Sequence, residues 1–164
     1  QEIKKKSISK LKLCWIGDAN NNMMNSLIEA CIKFSVSLNI ACPKSYQPNK
    51  MLISLIKKQK GKIKIFNKKE IAIKNSDVVM TDKIISLNDK VNKKKKLKSF
   101  KNFKVDTKTM NLAKKDAIFL HCLPRGNEVT EEVFLGKQSK VWQQALNRVY
   151  VQKSILLYCF GKLR

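Results

Sequence analysis

Residues 117–132, AIFLHCLPRGNEVTEE, hold the turn on which the reading of this chain rests. Ala117, Ile118, Phe119, Leu120 and His121 read as a short buried strand. Pro124 has no N–H for a sheet ladder, so the strand stops before it. His121 and Cys122 therefore fall at the strand's C-terminal end, the place where open α/β sheets bind ligands. A thiol, an imidazole (the only histidine of the chain) and the guanidinium of Arg125 lie within five residues. Taken alone, such a pair of Cys and His is as compatible with a structural turn as with a site.

Working outward, the same alternation recurs. Strands are expected at 11–16, 38–42, 62–66, 78–81 and 117–121. Between them, apolar residues at helical spacing predict helices over 22–35 and 48–60, where Pro48 suits a helix start and Gly61 a helix end. A weak helix or turn is expected at 68–74, a loop at 84–88, a charged helix at 89–100 and a short helix at 106–114. A long C-terminal helix is expected over 141–160, with Val141, Ala145, Val149, Ile155, Leu156 and Cys159 as its apolar residues. Strands alternating with helices need crossovers. The expected fold class is α/β: a single doubly wound domain, a mostly parallel sheet of about five strands, helices on both faces and a long C-terminal helix. Residues 1–10 form a basic leading segment, and 11–164 the domain proper.

The chain's 164 residues suffice for one core, and its 43% hydrophobic content fits a globular fold. No apolar run approaches the roughly 18 residues of a membrane span, and residues 1–10 do not read as a signal peptide. A first residue of glutamine reads as processing or as a piece of a longer chain. Five cysteines without C-x-x-C spacing, odd in number, suggest reduced thiols in the cytoplasm. A metal site is not expected, because His121 and Cys122 are adjacent and point to opposite faces. The net charge of +23 comes almost wholly from scattered lysines, with Arg125, Arg148 and Arg164 the only arginines. That pattern reads as compositional bias more than as a nucleic-acid site, with non-specific, salt-sensitive binding to polyanions expected. The lysine run 93–96 reads as a solvated helix face.

Three strand ends carry polar clusters. The first is Gly17-Asp18-Ala19-Asn20-Asn21, a turn that can cap a helix or present amides to a charged ligand. It lacks the further glycines of a dinucleotide fingerprint. The second is Asp82-Lys83-Ile84-Ile85-Ser86-Leu87-Asn88, where an acid can pair with an ammonium and a hydroxyl can join it. The third is His121 to Arg125. By themselves, the first two read more readily as a cap or turn than as a site, and the third as readily.

Their order carries more. Trp15-Ile16-Gly17-Asp18 with Asn20-Asn21 resembles the WIGDGNN segment of ornithine carbamoyltransferases. Asp82 and Ser86 fall on that family's D-x-x-x-S-M-G loop, His121-Cys122-Leu123-Pro124 on its HCLP motif, and Asn147-Arg148 on its E-N-R. Cys122 favours the ornithine branch over the aspartate branch. The resemblance covers nearly the whole chain and implies the second, ornithine-binding domain of a two-domain enzyme. It implies that Asn21, Asp82 and Ser86, with the backbone of Leu87, bind the α-amino and α-carboxylate groups of ornithine. Cys122 and Leu123 would lie by the δ-amine and the carbamoyl group, and Arg148 would reach carbamoyl phosphate. The implied reaction needs no metal or organic cofactor, and the implied assembly is a homotrimer. The pattern departs from the family at Ala19, Ile84, Leu87, Asn88 and Leu146. No S-x-R-T or H-P-x-Q segment is present, so the carbamoyl-phosphate-binding domain is absent from this sequence. The chain is expected to be inactive alone. The alternatives are a non-catalytic amino-acid-binding or remnant domain, which ornithine binding would distinguish, and a basic nucleic-acid-binding module, which a steep salt slope with sequence preference would distinguish.

Overall fold

The computed structural model describes residues 3–85 and 92–162. Five strands form one parallel sheet: β1 Lys12–Ile16, β2 Ser37–Ala41, β3 Ile63–Phe66, β4 Val78–Thr81 and β5 Ile118–His121. Each lies within one residue of its expected position. The order across the sheet is β3-β2-β1-β4-β5. The chain builds outward from β1 through β2 to β3, then crosses to the other side of β1 for β4 and β5. The crevice at the C-terminal ends of β1 and β4 is the topological switch point of such a sheet. The segments carrying Asp18, Asn21 and Asp82 leave the sheet there.

Seven helices connect and flank the strands among the described residues: α1 Asn22–Lys33, α2 Lys50–Lys58, α3 Lys69–Ala72, α4 Lys93–Ser99, α5 Thr107–Met110, α6 Glu131–Phe134 and α7 Val141–Cys159. Period-two alternation on the strands divides the core. On one face, Trp15, Leu38 and Ile40 pack with Met24, Ile28 and Cys31 of α1 and Leu52 of α2. On the other, Cys14, Ile16, Ala41, Val79 and Phe119 meet Ile73, Phe100, Phe103, Val105, Met110 and Phe134. Asparagine or aspartate caps start four helices: Asn21, Asn49, Asn92 and Asp106 each accept a hydrogen bond from a backbone N–H three residues on.

The helix boundaries correct some expectations. Pro48 precedes the cap Asn49 instead of opening α2, and the left-handed residue that ends α2 is Lys60 (φ +49°), not Gly61. The charged helix is shorter, 93–99, with 89–91 outside the described residues. The short helix α6 was not anticipated. The lysine run is not wholly a solvated face. Lys93, Lys94 and Lys95 are exposed, but Lys96 is buried and pairs with Asp18 at 2.7 Å. The helix rotates by about 100° per residue, so the four lysines face different ways and Lys96 falls on the packed side.

Residues 138–140 run along the free edge of β5. Phe119 N–H donates to Gln138 O at 2.8 Å, and Lys140 N–H to Phe119 O at 2.9 Å. This seats the start of α7, whose only buried residue is Val141. The rest of α7 exposes Trp142, Leu146, Val149, Tyr150, Val151, Ile155, Leu156 and Tyr158. No helix among the described residues is long and apolar enough to cross a membrane.

Candidate functional site

The switch-point crevice is assembled from three turns. The first leaves β1 through Gly17, where φ is +151° and a Cβ would stand 3.3 Å from Thr81 Oγ1, so there is no comfortable place for a side chain. Asp18 then turns back: its Oδ1 accepts the Asn20 N–H at 2.8 Å, and its other oxygen takes the Lys96 ammonium. Lys96 also lies 5.6 Å from the centre of the Tyr46 ring. Asn21 sits at the mouth of α1. Its Oδ1 accepts Met24 N–H at 2.8 Å, and its Nδ2 donates to Asp18 O at 3.2 Å. The cap reading of this turn is therefore realised, with Asn21 half-buried beside the crevice.

The second turn follows β4. Asp82 is half-buried, and its Oδ1 accepts the Lys83 N–H at 2.7 Å. Ser86 and Leu87, the other candidate residues of this loop, lie outside the described residues, as does Asn88. Ile84, at the position where the family resemblance expects tryptophan, is buried against the core.

The third turn follows β5. Alternation sends His121 inward and Cys122 outward, as their adjacency requires. The Cys122 thiol donates to Asp82 Oδ1 at 2.8 Å, although the two residues are 40 apart in sequence. The parallel pairing of β4 with β5, Thr81 opposite His121, brings the next residue of each strand into contact. Leu123 is exposed. Arg125 lies over the Phe134 ring at 5.6 Å and reaches Glu131 at 3.3 Å. Arg148 stands apart, exposed along α7. Its neighbour Asn147 accepts from Gln143 Nε2 at 3.0 Å.

Beneath Cys122 lies a buried polar group that motif reading did not assign. His121 is 1% exposed, and its Nε2 faces Glu128 Oε1 at 2.9 Å. Its Nδ1 faces the carbonyl oxygen of Cys122. Glu128 Oε1 also accepts the Gly126 N–H at 2.5 Å. Burial works against a charged imidazole, but the hydrogen bonds to Cys122 and Glu128 outweigh it and raise the His121 pKa to about 10. Burial likewise opposes ionisation of Glu128, yet the bonds from His121 and Gly126 hold its carboxyl below the usual range. The one legible signal was the acid seven residues after the histidine.

Of the candidate residues, the structure thus brings Asp82 and Cys122 into contact and sets Asn21 at the same sheet edge. Leu123 stands at the surface beside them, and Arg148 lies on the protruding helix.

The arrangement agrees with what this chain is similar to. The family model for the aspartate/ornithine carbamoyltransferase Asp/Orn binding domain matches residues 9–159. An ornithine carbamoyltransferase of Methanococcus maripaludis is 43% identical over 163 residues, covering 94% of this chain and 53% of that protein. One from Methanocorpusculum labreanum is 40% identical over 149 residues, covering 90% and 48%. Among solved structures, the Pyrococcus furiosus ornithine carbamoyltransferase superposes with a TM-score of 0.86 at 32% identity, covering 98% of this chain and 53% of that one. The anabolic enzyme of Campylobacter jejuni gives 0.85 at 38% identity, covering 93% and 52%. The chain spans about half the length of the relatives it matches. On the family match over residues 9–159, this chain belongs to the aspartate/ornithine carbamoyltransferase family, as its Asp/Orn binding domain.

Proposed function

We propose that this chain is the ornithine-binding half of an ornithine carbamoyltransferase, acting in the cytoplasm in ornithine and arginine metabolism. The observation that carries this reading is the 2.8 Å contact of the Cys122 thiol with Asp82 at the switch point. It joins two of the residues the resemblance assigns to one ligand, from strands far apart in sequence. The names of the relatives, all ornithine carbamoyltransferases, support the choice of amino acid.

In this reading Asn21, Asp82 and Ser86, with the backbone of Leu87, hold the α-amino and α-carboxylate groups of ornithine. Cys122 and Leu123 lie by the δ-amine. The neutral amine attacks the carbamoyl carbon, a C–N bond forms, the C–O bond to phosphate breaks, and citrulline and phosphate leave after loss of the amine proton. Rate enhancement rests on orientation and on donors aimed at the developing oxyanion. Arg148 offers one such group to carbamoyl phosphate from α7. The remaining phosphate contacts belong to a second domain, for which the exposed apolar residues of α7 are the seat. The working enzyme is the two-domain chain, assembled as a homotrimer. Nucleic acid binds only non-specifically.

Calorimetry with ornithine and with the unreactive analogue norvaline tests the binding step. Saturable binding of both to this chain is expected, with Asp82→Ala weakening ornithine at least about tenfold, the loss of one charge-assisted hydrogen bond. Citrulline should form only when a carbamoyl-phosphate-binding domain is added. No binding of either amino acid by the folded chain would instead identify a non-catalytic remnant.

A further inference from the structure

We infer that His121 and Glu128 are positioning residues for the ornithine site: a buried pair that sets the peptide after Cys122 and so aims its thiol at Asp82. This inference rests on the ornithine-site reading above, and it concerns a group to which that reading assigns no role.

The protonation state follows from the partners. Nδ1 of His121 faces a carbonyl oxygen, which only accepts, so Nδ1 carries a proton. Nε2 faces a carboxylate oxygen that already accepts the Gly126 N–H, so Nε2 donates as well. The ring is an imidazolium held against a carboxylate, closed off from water, with His121 1% and Glu128 6% exposed. A buried ion pair of this kind is weak evidence of stabilisation, since packed apolar residues often serve equally well. What it supplies here is direction. The imidazolium fixes the carbonyl of Cys122 toward the interior, while Glu128 ties the histidine to the Gly126 backbone and closes the turn across 121–128. With its carbonyl fixed inward, Cys122 presents its thiol to the crevice.

The turn is built for the carboxylate. A Cβ placed on Gly126 would stand 2.6 Å from Glu128 Oε2, so glycine lets the acid lie beneath the loop. The backbone N–H of His121 is itself held, donating to Gln144 Oε1 of α7 at 3.0 Å. Two aromatic rings flank the imidazole: Phe134 packs edge-on with ring centres 5.9 Å apart, and Phe119 lies at 6.2 Å.

The test uses the full chain with Cys159→Ser, which removes the exposed competing thiol. Two readings are taken at a temperature where circular dichroism shows the fold intact. One is the rate of Cys122 alkylation by iodoacetamide, followed by peptide mass; the other is norvaline affinity. Glu128→Ala is expected to speed Cys122 alkylation and weaken norvaline, each about tenfold, as the thiol swings from Asp82. Glu128→Gln keeps a hydrogen-bonding partner under the turn and should stay within about threefold of the parent in both. Gly126→Ala, which keeps both residues of the pair but displaces the carboxylate, should shift alkylation the same way as Glu128→Ala. It decides the matter if Glu128→Ala does not fold. Parent-like alkylation in folded Glu128→Ala and Gly126→Ala would overturn the inference, as would a Gln variant as impaired as the Ala variant. If the parent chain binds no norvaline, the ornithine reading fails, while the alkylation rates still report whether the pair aims the thiol.

Discussion

The reactivity of Cys122 depends on its contact with Asp82. At 2.8 Å the thiol donates to the carboxylate, which keeps the sulfur turned toward Asp82. Asp82→Asn is therefore expected to raise the iodoacetamide reactivity of Cys122 several-fold, read by the same peptide-mass assay; unchanged reactivity would mean the contact does not persist in solution. Cys14, Cys31 and Cys42 give an internal reference, since burial pushes their thiols up to about 12, 11 and 12. A second residue-scale expectation concerns His121. Its folded pKa of about 10 lies above the ordinary 6.5, so its stabilisation is fully present below about pH 6.5 and is lost as the pH rises toward 10. Glu128 has the opposite sign: its pKa is depressed, so its contribution is present above the ordinary 4.5 and fades as acid protonates it. Urea melts of the parent and His121→Asn should accordingly differ most between about pH 5 and 6.5 and converge toward pH 10. The reactive residue types, the proline stop and the opposite facing of His121 and Cys122 were all legible in 117–132, because period-two geometry is local. The pairing of Cys122 with Asp82 was not, because it depends on which strand lies beside β5.

At the scale of elements, α4 is tied to the β1–α1 turn by one buried ion pair, Lys96 with Asp18, both more than 90% buried. Lys96→Met leaves the Asp18 carboxylate buried without that ammonium, at an expected cost of about 3–5 kcal/mol. Adding Asp18→Asn should recover part of that loss, because the uncompensated charge is gone. Denaturant melts of the two single variants and the double variant measure the coupling; an additive cycle would mean the pair contributes no specific energy. Strands were read to within a residue because alternation and turn residues mark them independently of context. Lys96 was misread as solvated because four consecutive lysines look alike in sequence, while helical rotation gives each a different neighbour. Lys60 at φ +49° is a similar case: a lysine sits where glycine is favoured, held by the Gly61 N–H donating to Ile56 O at 2.9 Å.

For the whole molecule, two features point beyond the domain. Beyond Val141, α7 buries nothing fully, although the helix runs to Cys159. Removing residues 149–164 should leave the melting temperature within a few degrees, because surface changes usually cost less than about 0.5 kcal/mol each. If the proposed function holds, the same truncation should abolish productive association with a carbamoyl-phosphate-binding domain. A large loss of stability would show that α7 folds back on its own domain in solution. The charge of +23 predicts retention on DNA or heparin at low salt, independent of sequence and gone near physiological ionic strength. Persistent, sequence-dependent binding would point instead to a nucleic-acid function.

The sequence by itself determined the α/β alternation, the strand positions and the four ordered motifs. Those rest on local rules: side-chain periodicity, proline's missing donor and the capping preference of Asn and Asp. Only the tertiary structure decided that Asp82 meets Cys122, that Lys96 meets Asp18, and that Glu128 turns His121 into a buried imidazolium. These are contacts between groups whose neighbours are set by the strand order β3-β2-β1-β4-β5 and by the path of a loop. Burial then decides their charge, because outside water an ionised group persists only against a matching partner.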